Sequence, residues 1–292
     1  MFAKLLKYDM RALKKMGMPI LIVLLALTVL ASVIGFLSTK YFDHSSLGTT
    51  SNLGLIIDGF MTLILALGSI LTVVLFSMAS TVMLVLVCVH FYKNTVSDEG
   101  YLTFTLPVKT KDIIFSKLLS GFTWTAIVAI ASVVGIFIVF MAVVLGAVDF
   151  SLINDFNAEF PAEFKALLSE AFNNVTVGIV LLIVQAVVSI IVMSVFNLML
   201  MYTAIFFGGV ITKKNKGLAA IGCVIGANSI LSLFSSFFSM VLLPLVFTVS
   251  TFVDMITSYN ITLFVSNLAY GGAAVGCYFL LKHMMDKKLN LN

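Results

Sequence analysis

SDEGYLTFTLPVKTKDIIFSK, residues 97–117, is the most polar long passage in a chain otherwise dominated by apolar side chains. Of the 292 residues, 61% are hydrophobic and only 10% are charged, whereas soluble domains carry about 25% charged residues. With a mean hydropathy of +1.16, the composition points to a bilayer protein, because so few charges cannot cover a water-facing surface. The polar passage lies between two long apolar runs and therefore marks a connector between membrane crossings.

The same logic divides the rest of the chain. A helix needs about 20 apolar residues to cross roughly 30 Å of hydrocarbon, and helices are the default there because they satisfy their own backbone groups. Sufficient runs lie near 18–38, 60–91, 118–147, 175–211, 218–243 and 258–281. This predicts an all-α polytopic membrane protein with six transmembrane helices. It consists of an amphipathic segment over 1–17 and a single transmembrane domain over 18–292. The first run, GMPILIVLLALTVLASVIGFLSTKYF, exceeds a signal-peptide core and has no clear small-x-small cleavage site, so it reads as a retained span. The second and fourth runs exceed the minimum, which leaves room for tilt or for extension past the headgroups. Pro244 and its Ser/Thr-rich surroundings predict a helix that stops and a re-entrant segment before the last span. Seven or eight spans is the alternative division of that region.

Charge placement orients the drawing. With the amino terminus cytoplasmic, the inner side receives Lys4, Lys7, Arg11, Lys14 and Lys15, then Lys93, Lys109, Lys111 and Lys117, then Lys213, Lys214 and Lys216, and finally Lys282, Lys287 and Lys288. The outer side receives only Lys40 and Lys165. It collects Asp43, Asp149, Asp155, Glu159, Glu163 and Glu170, with Asp58 and Asp254 near its edge. The positive-inside rule then puts both termini in the cytoplasm for any even number of spans. The net charge of +4 carries no nucleic-acid signal, since neither a basic-aromatic stripe nor a zinc-finger spacing accompanies it.

Two segments read as surface helices. In MFAKLLKYDMRALKKMG, Phe2, Leu6, Met10 and Leu13 share one helical face, and the cations lie mostly around the rest. The pattern predicts a helix along the inner leaflet that enters the first span through Gly17 and Pro19. The simpler alternative is that these cations only orient the first span. In NAEFPAEFKALLSEAF, residues 157–172, Phe160, Phe164, Leu167, Leu168, Ala171 and Phe172 recur at helical spacing opposite Glu159, Glu163 and Glu170. An amphipathic helix on the outer leaflet, or capping the spans, is expected there.

Several chemistries are missing. Cys88, Cys223 and Cys277 stand singly and offer neither a metal knuckle nor a redox pair. GGVITKKNKG has glycines and lysines without the order of a GxxxxGK[ST] phosphate loop. The chain is therefore not expected to be an enzyme, to hold catalytic residues, or to bind a cofactor or metal itself. Apart from Asp58 and Asp254 near predicted ends, the apolar cores carry no charge, which argues against a proton- or sodium-driven pump. His90 reads as an interfacial histidine, and His44 and His283 fall on opposite sides of the membrane. Asn174 matches a glycosylation pattern that carries no functional weight. Gln185, Asn197 and Asn228 are the polar residues inside spans, where side-chain amides either tie helices together or line a route.

Within the connector, Gly100 and Pro107 interrupt the chain. Thr110 through Leu119 begin a short helix leading into the third span, with Thr110 or its neighbour as cap. Tyr101, Leu102, Phe104 and Leu106 can be offered to a soluble partner, flanked by Asp98 and Glu99, while Lys109 and Lys111 can meet acidic groups or lipid headgroups.

The basic start FAKLLKYDMRALKK, the long second span and YKNTVSDEGYLTFTLPVKTKDIIFSKLL together resemble the membrane subunits of bacterial type-2 ABC exporters whose ATPase is encoded separately. The likeness covers nearly the whole chain in topology, and its distinctive wording lies between Tyr92 and Leu119. It implies a bacterial cell-membrane permease that pairs with a second identical or related permease and with cytoplasmic ABC ATPase subunits, which use ATP and Mg. It also implies a coupling helix over about Asp98 to Pro107, supported by Lys109 to Lys117, and a re-entrant hairpin over 244–257. No extra domain of the larger polymer exporters is evident, and the loop at 157–172 has no counterpart role. The implied activity is outward movement of an amphipathic or hydrophobic solute such as an antimicrobial peptide, toxin or drug. A membrane sensor or scaffold that regulates an ATPase, and an ion-coupled secondary transporter, are the alternatives.

Overall fold

A computed structural model describes residues 2–45, 52–97, 109–147, 176–212, 215–247 and 252–289. Six helices account for nearly all of them: α1 (Phe2–Ser45), α2 (Asn52–Thr95), α3 (Thr110–Ala147), α4 (Thr176–Ile211), α5 (Lys216–Phe247) and α6 (Phe252–Leu289). Each contains a stretch long and apolar enough to cross a membrane. Ile22, Leu25, Phe137, Phe140, Ile190 and Phe237 are all more than 60% exposed. Water would not tolerate so much bare apolar surface, but hydrocarbon does. The expected all-α, six-span division therefore stands at this level.

The boundaries differ from those read in the sequence. α1 runs through Gly17 and Pro19 without a break, so the basic segment and the first apolar run form one helix about 66 Å long at 1.5 Å per residue. Along its first turns Lys4, Lys7, Arg11, Lys14 and Lys15 are exposed, while Asp9 and Leu13 are buried and Phe2, Leu6 and Met10 are half-buried. The apolar face expected on lipid thus packs against protein, a distinction that an amphipathic pattern alone does not make. α3 starts at Thr110 rather than near 118, and Thr110–Leu119 is its first part instead of a separate short helix. α2 reaches Thr95 and closes with Val96 and Ser97 amides donating to the Tyr92 carbonyl at 2.9 and 3.1 Å.

Pro244 does not stop its helix, because α5 continues to Phe247. So close to a carboxyl end, a missing amide donor and the clash of the ring with the preceding turn affect only the final turns. Helix occupies 244–247 and 252–257, so what was expected to be a separate re-entrant segment consists, as far as it is described, of the end of α5 and the start of α6. Residues 157–172 lie outside the described residues.

The chain divides into two compact units. One comprises Met1–Met10, Val87–Phe122 and Glu163–Asn292. In it α4 packs extensively on α6 and on α5. Asn260 donates to the Gly178 carbonyl at 3.2 Å, Phe196 meets Tyr270 with ring centroids 5.6 Å apart, and Thr203 donates to the Cys277 carbonyl at 3.3 Å. Both partners advance in the same order, so α4 and α6 run parallel. Around the ring pair, Val192, Phe196 and Leu200 of α4 pack with Tyr270, Ala274 and Cys277 of α6 at the three- and four-residue spacing of a helix–helix seam.

The other unit comprises Arg11–Leu86 and Thr123–Ala162. Gly17 supports the Trp124 indole so closely that a Cβ there would lie 2.6 Å from Trp124 Cε3. A cavity of about 510 Å³ opens among Leu30, Ile34, Leu71, Phe76, Val139 and Val143. Its two hydroxyls, Thr39 and Thr72, already donate to carbonyls of their own helices, so its lining presents no free donor.

Candidate functional site

The amino-terminal turns of α1, the end of α2 and the start of α3 each carry one ionisable residue on a buried stripe. On α3 the stripe runs Ile113, Ser116 or Lys117, Ser120, Trp124 and Val128, all buried and three or four residues apart. On α2 it includes Met83, Val87, His90 and Phe91. On α1 it includes Asp9 and Leu13. The helical period that buries the apolar members of each stripe also buries Asp9, His90 and Lys117.

Together these three residues form a charged cluster. Lys117 Nζ donates to Asp9 Oδ1, and Ser116 Oγ donates to Asp9 Oδ2 at 2.6 Å. Asp9 and Lys117 are each only 4% exposed, so their charges are compensated by one another rather than by water. His90 Nε2 lies 3.5 Å from Asp9 Oδ1 and 3.1 Å from Asn94 Nδ2. That nitrogen accepts from the amide or donates to the carboxylate, but not both at once.

The cluster is joined to α4 through Tyr202. Its hydroxyl donates to the Lys117 carbonyl at 3.1 Å, and its ring stacks on Phe91 at 4.1 Å between centroids and 9° between planes. Gly121 makes this approach possible, since a Cβ there would sit 2.5 Å from the Tyr202 hydroxyl and 2.8 Å from Val87 Cγ1. A second link ties the start of α3 to the end of α6, where Thr110 donates to Asp286 Oδ1 at 2.8 Å and Phe115 packs on Tyr278. Thr110 is thus committed to Asp286, and the first bonds of α3 run instead to the Lys109 carbonyl, from the Asp112 amide at 2.9 Å.

The residues expected to matter fall into three groups. Asp98, Glu99, Gly100, Tyr101, Leu102, Phe104, Leu106 and Pro107 lie outside the described residues. Lys109 and Lys111 are exposed at the start of α3. Gln185 and Asn197 lie on α4 with buried amide oxygens that meet no hydrogen-bond partner, whereas Asn228 is exposed on α5. The structure adds Asn260 and Asn267 on α6, whose side-chain oxygens are likewise buried without a partner.

The charged cluster corrects two expectations. Asp9 and Lys117, read as parts of the amino-terminal segment and of the connector with their charges at the membrane surface, are buried against one another, and His90 at the end of the second span is buried beside them. Lys117 was read as part of the connector because a lysine between apolar residues usually marks a membrane edge. The sequence carried a sign of the burial of Asp9 but not of its partner: it is the lone acid in a basic segment and falls at the Leu6–Leu13 face rather than among the cations.

There is no group of three or more His, Cys, Asp or Glu side chains among the described residues that could hold a metal ion. The fold is that of a polytopic helical membrane protein, with a buried ion pair in one compact unit and polar groups in the α4–α6 seam, an architecture compatible with membrane transport. Compared with protein-family models, curated proteins and solved structures, the chain matches none.

Proposed function

We propose that this chain is the transmembrane permease subunit of an ATP-driven exporter, with ATP and Mg used by separate cytoplasmic ABC ATPase subunits and with a second identical or related permease completing the route. The observation that carries the reading is the anchoring of both ends of the 98–108 connector. On one side, the last turns of α2 are held by the stacking of Phe91 on Tyr202 of α4 and by His90 beside Asp9 of α1, before the helix closes at Val96–Ser97. On the other, α3 begins at Thr110, held by Asp286, and reaches Lys117, held by Asp9. A force applied to that connector is therefore delivered to α1, α2, α3, α4 and α6 through directional contacts rather than lost in a loose loop. This is what a coupling segment requires, because transport depends on an energy source biasing two arrangements of the helices.

The cargo is an amphipathic or hydrophobic solute such as an antimicrobial peptide, toxin or drug. The buried amide oxygens of Gln185 and Asn197 on α4 and of Asn260 and Asn267 on α6 support a route that accepts polar groups within an otherwise apolar frame. In this arrangement both termini are cytoplasmic and the membrane is a bacterial cell membrane.

Reconstituting the chain, in inverted vesicles, with an ABC ATPase that co-purifies with it tests the reading. ATP-dependent uptake of a fluorescent amphipathic peptide is expected. Failure to form a stable complex with the ATPase, or uptake driven by an ion gradient without it, overturns the proposal. ATPase stimulation by peptide without uptake would favour a sensor instead.

A further inference from the structure

We infer that the outward face of the first helix is a binding surface for anionic phospholipid headgroups. Lys4, Lys7, Arg11, Lys14 and Lys15 are all exposed, and they recur at the three- and four-residue spacing that places them on one side of α1. They lie on a single uninterrupted helix, so their arrangement follows from helical geometry, which spreads them along about 16 Å. Asp9, the one acid in this stretch, is turned inward and bound to Lys117. None of the five cations has a carboxylate partner among the described residues.

What covers this face is indicated by its continuation. One helical turn beyond Lys14 and Lys15, the same side of α1 becomes Met18, Ile22, Leu25 and Val29, which are 44%, 66%, 66% and 54% exposed. A face that changes from cationic to apolar within one turn matches the change from headgroups to hydrocarbon, and the five charges are too costly to lie deeper. Tyr8, 70% exposed in the middle of the stripe, is the amphipathic side chain that the headgroup layer favours. An acidic protein surface would satisfy the cations, but it would not account for the uninterrupted passage into lipid-exposed residues. The partner is therefore a negatively charged phospholipid surface, bound through the five cations and the exposed ring and hydroxyl of Tyr8. The inference is independent of whether the chain moves a solute.

The test uses the full chain in mixed micelles with phosphatidylglycerol and phosphatidylcholine, counting bound lipids by native mass spectrometry. The unaltered chain is expected to retain phosphatidylglycerol preferentially. Replacing Lys7 and Arg11 together (Lys7→Gln with Arg11→Gln) is expected to reduce that preference, with an upper range of about five-fold per charge removed. Raising the salt should reduce it as well. A control with the same loss of charge, Lys93→Gln with Lys287→Gln, both exposed and away from α1, should keep the preference. Retention of the preference in the α1 variant, or an equal loss in the control, overturns the inference. Should the double variant be poorly folded, single Lys7→Gln and Arg11→Gln variants carry the same comparison.

Discussion

Lys117 of α3 donates to the carboxylate of Asp9 on α1 across 108 residues of sequence, and both side chains are buried. Removing either partner leaves the other as an uncompensated charge, which is far more costly than losing both. Lys117→Met is therefore expected to destabilise the protein by about 3–5 kcal/mol. The double variant Asp9→Asn, Lys117→Met should recover much of that loss. Thermal unfolding in detergent, arranged as a double-mutant cycle, checks this; additive effects of the two single changes would show that the pair does not act as a unit.

Gly121 is the position at which α3 lets Tyr202 through to the Lys117 carbonyl. Gly121→Ala puts a methyl against the tyrosine hydroxyl and Val87, and overpacking of this kind costs about 1–3 kcal/mol. Gly222 on α5 is the control, since a Cβ there meets nothing within 4 Å. Gly222→Ala should be neutral or stabilising by up to about 1 kcal/mol, because alanine restricts the unfolded chain. Equal unfolding midpoints for the two variants would mean that Tyr202 moves aside without loss.

The six crossings were legible in the sequence because a hydrocarbon core of fixed thickness imposes one length on every apolar run. Their ends were not, because nothing in composition separates a helix that stops at the headgroups from one that continues beyond them, as α1 and α3 do. Among the site residues, Gln185 and Asn197 stood out as polar groups in apolar text, and both have buried, unpartnered oxygens. Asp9, His90 and Lys117 did not stand out, since each lies near a predicted membrane edge where charge is ordinary. Only the pairing of distant segments distinguishes a buried charge from a solvated one, and that information is tertiary.

Asn260 ties the parallel helices α4 and α6, donating to the Gly178 carbonyl at 3.2 Å as well as to Ile256 of its own helix at 2.9 Å. Inter-helix hydrogen bonds inside membranes contribute about 0.6 kcal/mol on average and at most about 1.7 kcal/mol. Asn260→Leu should therefore lower stability by an amount in that range. Asn228, exposed on α5, should tolerate Asn228→Leu with no loss, since it makes the surface more like the lipid around it. Comparison of unfolding midpoints in the same detergent distinguishes them, and a larger loss at Asn228 would place a partner on that face of α5.

The connector between α2 and α3 gives the most direct test of the proposed coupling. Glu99→Lys reverses a charge and Leu106→Asp places a carboxylate among the apolar groups expected to meet the ATPase. Desolvating an unpaired charge in an interface costs several kcal/mol, so Leu106→Asp should abolish recovery of the ATPase on co-purification and Glu99→Lys should reduce it. Insertion and thermal stability should stay at the level of the unaltered chain, because the helices on both sides of the connector keep their own anchors at Phe91, Thr110 and Lys117. Breaking those anchors predicts the complementary result. Thr110→Val removes the bond to Asp286 at the start of α3, so the ATPase should still bind while its hydrolysis no longer drives uptake efficiently. Normal ATPase recovery with both connector variants would put the contact elsewhere, and unchanged coupling in Thr110→Val would show that force reaches the helices by another path.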